Sequence, residues 1–439
     1  MILKKFFFVI ISILSVAICF CQSNSQLQQV RQFVLKAMLR SYDSSIGYIT
    51  ITPGGRLNYL YPFYELFKQE NKFRQMETDN GYNNEISKAA SFLEDYQTAL
   101  EYQLKNYTAI DHASEKQIEK AIDEIKAVQH ADAARYISFA SKSYDVIMIN
   151  ESYNKPLHRA FIISLLDELY RKGFRYLAME TLNNYSKKAI RSLTEATGYL
   201  TSEPVGGELV RRATELGFTL VPYDDTSSAE KLNRRDSIQA ANIFKILLHD
   251  HSAKILVVGG YGHIAKKSPD KNYIPMGLAF KKLSGIDPLC IDQVNMCDEG
   301  EFPYGKALYE AYTDKFSITV PSVAMIDGQA LNITNDEGYD ICVIHPRTIY
   351  RDNRPTWLTL NGRRQAVYIK PTVKNTFLVQ AYYEYETKLS GPGQTIPADQ
   401  SYIVSNKDSY LLYLQKGKYL VVFRDIGYHL IGKLSIEVN

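Results

Sequence analysis

The sequence predicts an α/β protein with a mostly parallel β-sheet covered by helices, preceded by a helical lead-in and followed by an antiparallel β domain. The strongest indication is the stretch 144–182, where an apolar run, a helical pattern and a second apolar run follow one another. Continuous apolar strands joined by a helix are typical of a parallel sheet that is buried on both faces. Beyond Arg364 the chain changes to short β-branched and aromatic segments divided by Gly, Pro, Asn and Asp, which predict antiparallel strands.

Residues 1–22 have the pattern of a secretory signal peptide. Lys4 and Lys5 supply a positive start, and residues 6–21 form an apolar run too short to span a bilayer comfortably. An uncleaved anchor is the alternative. Bulky residues precede both cysteines of this run, where a lipoprotein signal needs small ones. We therefore expect export to the periplasm or the extracellular space, without a lipid anchor and without a stable membrane span after signal removal.

The composition indicates an ordinary globular protein, with 45% hydrophobic and 23% charged residues among 439. The formal net charge is +3, and removal of Lys4 and Lys5 leaves +1. This balance gives no reason to expect nucleic acid or an anionic membrane as a partner, so we expect a small-molecule or peptide ligand. The oligomeric state stays open.

Three cysteines lie after the signal: Cys290, Cys297 and Cys342. The first two could pair in an oxidising compartment, and Cys342 falls in an apolar run that predicts a buried thiol. Their spacing does not predict a zinc knuckle.

Taken in order, the chain is expected to form a helical lead-in or cap over 23–135, an α/β domain over 136–364 and a β domain over 365–439. In the lead-in, apolar residues recur every three or four positions, and Ser114 with Gln117 forms a capping-box pattern. In the α/β domain, strands are predicted at 146–149, 176–179, 218–223, 254–258 and 288–291, with two more near 318–326 and 339–344, and helices at 157–169, 186–199, 207–217, 236–248 and 276–283. The role of the β domain stays open.

Polar and acidic residues follow each of the first five predicted strands of the α/β domain. Because ligands of open parallel sheets bind outside the carboxyl ends of the strands, these residues are expected to share a pocket. Carboxylates crowded in one crevice repel, so at least one should have a raised pKa, as a general acid or base requires. Alternatively, they accept hydrogen bonds from Arg234, Arg235 or His158, or bind a cation. The strand ends in question carry Asn150-Glu151, Glu180, Asp224-Asp225, Tyr261-Gly262-His263 and Asp292.

At these residues the sequence resembles the erythromycin esterase-like and ChaN-like superfamily, which also includes the TIKI/TraB proteins. NESYNKPLHR followed by GFRYLAMETL resembles the opening of that pattern, RRDSIQAANI its Arg-Asp then Asn segment, and VVGGYGHI its late strand ending in Gly-x-Gly-His. The resemblance covers about 136–300, and 360 at most. It includes neither the lead-in nor the β domain.

One position departs from the superfamily pattern. Tyr153 stands where ChaN-like members carry their first histidine, whereas His158 matches the second histidine and His263 the late one. Tyrosine cannot act as a base near neutral pH unless its pKa is strongly lowered. Either His158 or His263 therefore takes the role of base, or the chemistry is lost.

The candidate site combines the strand ends with the matched motif residues. The expected catalytic residues are Glu151, His158, Glu180, Arg235 and His263; the expected substrate-binding residues are Tyr153, Asp225, Asp236, Asn242 and Tyr261; and Glu151, Glu180 and His263 are the expected ligands if a metal is bound. If the site is formed, Glu151, Glu180 and His263 should converge, and Glu151 should lie within hydrogen-bond reach of His158 or His263, directly or through one water.

Three functions compete. The first is a hydrolase in which Glu151 and a histidine activate water while Arg235 stabilises the oxyanion; the resemblance implies cleavage of an ester, lactone or peptide bond. The second, implied by the ChaN likeness, is a haem- or iron-binding protein, for which Tyr153 would be an acceptable ligand. The third is a binding scaffold whose catalytic site has decayed. The cofactor stays open between none, a divalent metal and haem.

Overall fold

The computed structural model describes residues 25–37, 51–52, 56–76, 79–183, 193–225, 232–269, 271–334 and 336–439. The predicted signal peptide, 1–22, and the first half of the predicted helix 186–199, residues 186–192, lie outside these ranges. Among the described residues, no helix combines the length and the apolar character needed to cross a membrane.

Helices and strands alternate through the middle of the chain, as expected. The α-helices are α1 (25–37), α2 (Tyr61–Lys68), α3 (Glu70–Met76), α4 (Asp79–Phe92), α5 (Tyr96–Leu104), α6 (His112–Glu124), α7 (Ala133–Ala140), α8 (Pro156–Arg171), α9 (Pro204–Leu216), α10 (Leu232–His249), α11 (Met276–Ser284), α12 (Phe302–Lys315) and α13 (Glu384–Ser390). The strands are β1 (Ile51–Thr52), β2 (Arg56–Leu57), β3 (Gln129–Asp132), β4 (Val146–Glu151), β5 (Tyr176–Met179), β6 (Thr219–Pro222), β7 (Ile255–Gly260), β8 (Leu289–Asp292), β9 (Ser322–Ile326), β10 (Gln329–Ala330), β11 (Ile341–Cys342), β12 (Tyr350–Arg351), β13 (Arg354–Pro355), β14 (Gln365–Ile369), β15 (Leu378–Tyr383), β16 (Asp399–Ser401), β17 (Tyr410–Leu414), β18 (Gly417–Arg424) and β19 (Leu430–Val438).

Six strands form the predicted parallel sheet, in the order β11-β8-β4-β7-β5-β6. All of its pairings are parallel, and β4 lies between β7 and β8. Residues 146–149 of β4 are fully buried because helices cover both faces of the sheet, which explains why the strand reads as one apolar run. The predicted fold class is confirmed.

Two segments differ from the prediction. β9 does not extend the parallel sheet; it pairs antiparallel with β3 and β10, and β3 lies in a region whose pattern predicted helix. Within the described part of 186–199, only a single 3-10 turn forms, at Glu195–Thr197. A helix could not continue through Gly198, because its φ is +153° and a Cβ there would lie 2.0 Å from the carbonyl oxygen of Thr181.

The contacts divide the chain into two compact units, the first comprising Met1–Asn106, Arg191–Glu195 and Ile349–Asn439, and the second Tyr107–Ile190 and Ala196–Thr348. Helices α2–α5 therefore share a unit with the C-terminal strands. Buried Arg354 joins them, donating from Nη2 to Glu94 at 2.9 Å and to Asp399 at 2.7 Å. The expected domain boundaries at 135/136 and 364/365 stay a prediction.

The C-terminal region forms the expected antiparallel sheets, β14-β17 and β16-β15-β18-β19. One stretch read as strand is a helix: after β15 the chain turns into α13, which has Glu384 and Glu386 in its first turn and Lys388 in its last. These charges complement the helix dipole. Gly391, with φ +73°, follows the helix.

All three described cysteines are free and buried, so the expected pairing of Cys290 with Cys297 does not form. Cys290 lies inside β8, whereas Cys297 lies in the turn beyond it, where its Sγ contacts the carbonyl oxygen of Val294 at 3.1 Å. The prediction of a buried thiol at Cys342 is confirmed.

Candidate functional site

The carboxyl ends of β4, β5, β6 and β7 bring most of the predicted residues to one edge of the sheet. In the parallel register, Glu151 lies opposite Gly260, and Met179, directly before Glu180, lies opposite Val258. The charges interact as expected of neighbours: Glu180 raises the pKa of both Glu151 and His263. Glu180 is therefore close enough to both Glu151 and His263 to influence their protonation.

Arg235, on α10, is held between two carboxylates that follow neighbouring strands. Its Nε and Nη2 each donate to Asp224 at 2.8 Å, and Nη2 also donates to Glu180. Gln239, one turn further along α10, donates to Asp224 at 2.6 Å and fixes that carboxylate in turn. Arg235 Nη1 has no hydrogen-bond partner among the described residues, and the side chain is 28% exposed. This part of the guanidinium is free to bind a ligand.

Glu180 is fixed from three sides, which removes it from the role of a free base. Besides Arg235, the backbone N–H of Gly260 donates to it at 2.7 Å, and the Tyr153 hydroxyl donates to both of its oxygens at 3.3 Å. The ring of Tyr153 packs so closely on β7 that a Cβ at position 260 would lie 2.3 Å from its hydroxyl. Glycine is therefore required there.

Tyr153 is held as a neutral hydrogen-bond donor. Burial, followed by the charge of Glu180, raises the pKa of its hydroxyl above the ordinary value. It therefore cannot replace the missing histidine as a base. Its ring makes an edge-to-face contact with Tyr261, with ring centroids 5.0 Å apart. Tyr261 follows β7 with φ +46°, an uncommon conformation for a residue other than glycine, and is partly exposed at the rim.

His263 is paired with Asp236, the residue after Arg235 on α10. Nδ1 of His263 lies 2.7 Å from Oδ1 of the fully buried Asp236, and the Tyr273 hydroxyl lies 3.2 Å from the same nitrogen. Because Asp236 accepts, the proton belongs on Nδ1 and the lone pair on Nε2. Nε2 has no partner among the described residues, and the side chain is 15% exposed. The lone pair is thus available to a substrate or a water molecule.

The pKa of His263 reflects opposing influences. Burial lowers it, but the hydrogen bond and the charge of Asp236 outweigh burial, so the pKa lies above the ordinary value. Glu180 raises it further and Arg235 lowers it. The ring is thus a stronger base than a free histidine, and the neutral form is reached at a somewhat higher pH.

Among the described residues, Glu151 makes no direct hydrogen bond to either histidine, so a direct pairing is wrong and a contact through one water stays a prediction. It accepts from Nε of Arg159 at 2.6 Å, and Arg159 also donates to Glu203 at 3.0 Å and to the carbonyl oxygen of Tyr153 at 2.9 Å. All three charged side chains are buried. Burial raises the pKa of Glu151, and Arg159 opposes that effect. Glu151 therefore belongs to a buried ion triad that positions the backbone after β4.

His158 is also closed off from solvent. It is fully buried; its Nδ1 accepts from the backbone N–H of Ser152 at 2.9 Å, and its ring lies 5.7 Å from that of buried His345. Burial, then the charge of neighbouring groups, lowers its pKa well below the ordinary value. His158 is thus a neutral residue of the core that holds the loop after β4.

This burial predicts sensitivity to acid. Burial also lowers the pKa of His345, to about 3, so the folded protein keeps both rings neutral while the unfolded chain protonates them below about pH 6.5. The free energy of unfolding should therefore fall as the pH decreases below 6.5, by about 1.4 kcal/mol per pH unit for each ring. Urea unfolding between pH 7 and 4 measures this slope, which His345→Gln should reduce. His112→Gln, at a side chain that is 77% exposed, is the control. Equal slopes in the unmodified protein, His345→Gln and His112→Gln would contradict the assignment of His345 as a neutral buried ring.

The remaining predicted residues have structural contacts. Asn242 donates to the carbonyl oxygen of Tyr223 at 3.0 Å, fixing the chain after β6, and the N–H of Asp225 donates to the Asp224 carboxylate at 2.7 Å. Asp292, the fifth strand end, accepts from Asn150 at 2.8 Å and from the N–H of Val294 at 3.0 Å. These residues shape the edge of the sheet.

Sequence reasoning missed Arg159, Glu203 and Tyr273. The sequence carries one indication for Arg159: an arginine among the apolar residues of the first turns of α8 needs a buried acidic partner. Tyr273 lies in an irregular segment before α11, and Glu203 is 44 residues from Arg159, so neither position carried a local signal.

The donor groups present do not fit a bound divalent metal or haem iron. Glu151 and Glu180 are already paired with arginines, and Nδ1 of His263 is paired with Asp236. Within the described ranges, no group of three or more His, Cys, Asp or Glu residues is placed to hold a metal ion. Tyr153 is neutral and hydrogen-bonded to Glu180, so it does not offer the phenolate that binds haem iron.

Comparison of the chain with protein-family models, with curated proteins and with solved structures gives no match.

Proposed function

We propose that the chain is a hydrolase that cleaves an ester, lactone or peptide bond, with His263 as the general base that activates water. The observation that carries the proposal is the pairing of His263 Nδ1 with buried Asp236, which leaves Nε2 without a partner among the described residues on a side chain that is 15% exposed. A carboxylate behind an imidazole fixes its tautomer and stabilises the imidazolium that forms when water is deprotonated. After attack, the same imidazolium returns its proton to the leaving group.

Arg235 is proposed to stabilise the oxyanion. Its Nη1 is unpaired among the described residues, and its charge influences the pKa of His263, which supports a place near the reacting carbonyl. Glu180 and Asp224 hold the guanidinium in place and act as positioning residues. They also reduce its net positive field, which favours an uncharged carbonyl over a phosphate ester as the substrate.

Two roles differ from those predicted from the sequence: the water-activating pair and the role of Glu151. His263 with Asp236 replaces Glu151 and His158 as the water-activating pair, and Glu151 becomes a residue that positions the loop after β4. Tyr153 and Tyr261, whose rings meet at the rim, are proposed to contact the substrate. The signal-peptide pattern of residues 1–22 favours an enzyme that acts after export.

A substrate panel tests the proposal. Purified protein should release product from at least one class among nitrophenyl esters, lactones and fluorogenic peptides, and His263→Gln should abolish that release. Arg347→Gln, a change at an exposed arginine that pairs with Asp314, is the matched control and should keep full activity. Activity that survives in His263→Gln, or no turnover in any class, would overturn the assignment.

A further inference from the structure

Two strands of the C-terminal sheets, β14 and β19, each have one edge without a partner strand among the described residues. β14 pairs only with β17, and β19 pairs only with β18. An unpaired edge presents a row of backbone N–H and C=O groups that can bind another extended chain. Which residues present those groups follows from the hydrogen bonds of the neighbouring strands.

On β14, Ala366 and Tyr368 face the open edge. Their register partners on β17 are Tyr413 and Leu411. The N–H of Tyr413 donates to the buried carboxylate of Asp399, and the carbonyl oxygen of Leu411 accepts from the buried guanidinium of Arg354. The backbone groups of Tyr413 and Leu411 therefore point away from β14. Opposite residues of two antiparallel strands alternate between hydrogen-bonded and non-hydrogen-bonded pairs. The residues of β14 that alternate with Ala366 and Tyr368 therefore make the hydrogen bonds to β17. The backbone groups of Ala366 and Tyr368 therefore have no partner strand among the described residues.

On β19, the same reasoning selects Lys433, Ser435 and Glu437. The carbonyl oxygen of Ala381 on β15 accepts from the N–H of Ala398, so the backbone groups of Ala381 face β16 and not β18. Its register partner on β18 is Val421, whose backbone groups therefore face β19. Val421 lies opposite Leu434, which therefore faces β18, and the alternate residues of β19 face outward. The carbonyl of the next outward residue, Asn439, accepts from the Gln365 side chain of β14 at 2.8 Å.

The two open edges flank a single groove. Its volume is about 580 Å³, and residues 365–370, Leu434 and residues 436–439 line it. The contact of Gln365 with Asn439 joins the start of β14 to the end of β19, so the strands run in opposite directions along the groove. Apolar side chains from both strands, among them Val367 and Leu434, pack on the same core beneath it.

We propose that this groove binds an extended peptide segment of a partner protein, which would lie between β14 and β19 as an added strand. The occupant must have two free edges, because backbone groups face it from both sides. An edge strand from a second copy of this chain is already paired on one side and does not meet that requirement. The groove also selects side chains: alternate apolar residues would face the core, an acidic residue would lie near Lys370, and a basic residue near Glu437.

The probe is a blocked octapeptide of alternating valine and threonine between a terminal lysine and a terminal glutamate, made in both sequence orders. One order should bind the full-length protein in a calorimetric titration. Hydrogen exchange should show the amides of Ala366, Tyr368, Ser435 and Glu437 exchanging rapidly in the free protein and at least tenfold more slowly in the complex. The amides of Val367 and Leu434, bonded to neighbouring strands, should be protected in both states.

The matched variants are Ser435→Pro and Ser435→Ala. The N–H of Ser435 faces away from β18, so proline removes a donor from the open edge of β19 without breaking a bond to β18, whereas alanine keeps the donor. Proline should weaken peptide binding at least tenfold and alanine should leave it unchanged. If Ser435→Pro fails to fold, the test uses the unmodified protein and a peptide that is N-methylated at alternate residues along one edge. This peptide should bind at least tenfold more weakly than the peptide without N-methyl groups.

Three results would overturn the proposal. The first is protection of the four outward amides in the free monomer, which would show that these edges are already paired. The second is equal binding of the N-methylated and unmodified peptides, or no binding of either order at millimolar concentration. The third is protection that appears with rising protein concentration alone, which would make a second copy of the chain the occupant.

Discussion

Asp236→Asn is expected to lower kcat by on the order of a hundredfold or more, the usual scale for a group that supports acid–base catalysis. Asparagine preserves the size of the side chain but presents an amide to His263, so the imidazole loses both its fixed tautomer and the charge that stabilises its protonated form. Steady-state kinetics on the substrate class found for the unmodified protein measures the effect. KM should change much less than kcat, because Asp236 is fully buried and does not touch the substrate.

The pH dependence separates this role from a merely structural one. The base must be neutral, so activity rises as the pH increases through the pKa of His263, which Asp236 raises above its ordinary value. Asp236→Asn should therefore move the rising limb to lower pH while lowering its plateau. Asp314→Asn, the same change at a side chain that is 71% exposed, should alter neither. An Asp236→Asn profile with an unshifted limb would remove Asp236 from the mechanism.

Arg159→Ala is expected to destabilise the protein by about 3–5 kcal/mol, because it leaves two buried carboxylates, Glu151 and Glu203, without their cation. Urea unfolding at pH 7 measures the loss. Burial raises the pKa of both carboxyl groups and Arg159 opposes that effect, so both groups should bind protons more tightly in the variant than in the unmodified protein. Groups that bind protons more tightly in the folded state favour folding at low pH, so the deficit should shrink as the pH falls towards their pKa.

Two comparisons isolate the ion triad. Adding Glu151→Gln and Glu203→Gln to Arg159→Ala should recover part of the lost stability, because neutral amides cost less to bury than unpaired carboxylates. Arg171→Ala, at the end of the same helix, removes a side chain that is 67% exposed and should cost no more than about 1 kcal/mol. A similar small loss for Arg159→Ala would mean that the triad does not hold the loop after β4.

The sequence by itself determined the layout of the α/β unit. Apolar runs such as 146–149 require burial on both faces, and the helical patterns between them require crossovers, so a parallel sheet follows from periodicity alone. The polar residues after the strands follow from the same logic, because strands that run in one direction end at one edge. The convergence of Glu180 and His263 was therefore predictable without coordinates.

Only the tertiary structure decided which charge pairs with which. Glu151 and Glu180 both follow an apolar strand in the sequence. In the structure Glu151 is buried against Arg159, whereas Glu180 pairs with Arg235, whose Nη1 has no hydrogen-bond partner among the described residues. His158 and His263 also look alike, yet one is sealed in the core and the other is paired with Asp236 at the edge. Burial and partner choice depend on contacts between residues far apart in the chain, such as Arg159 with Glu203, and hydrophobic periodicity carries no record of them.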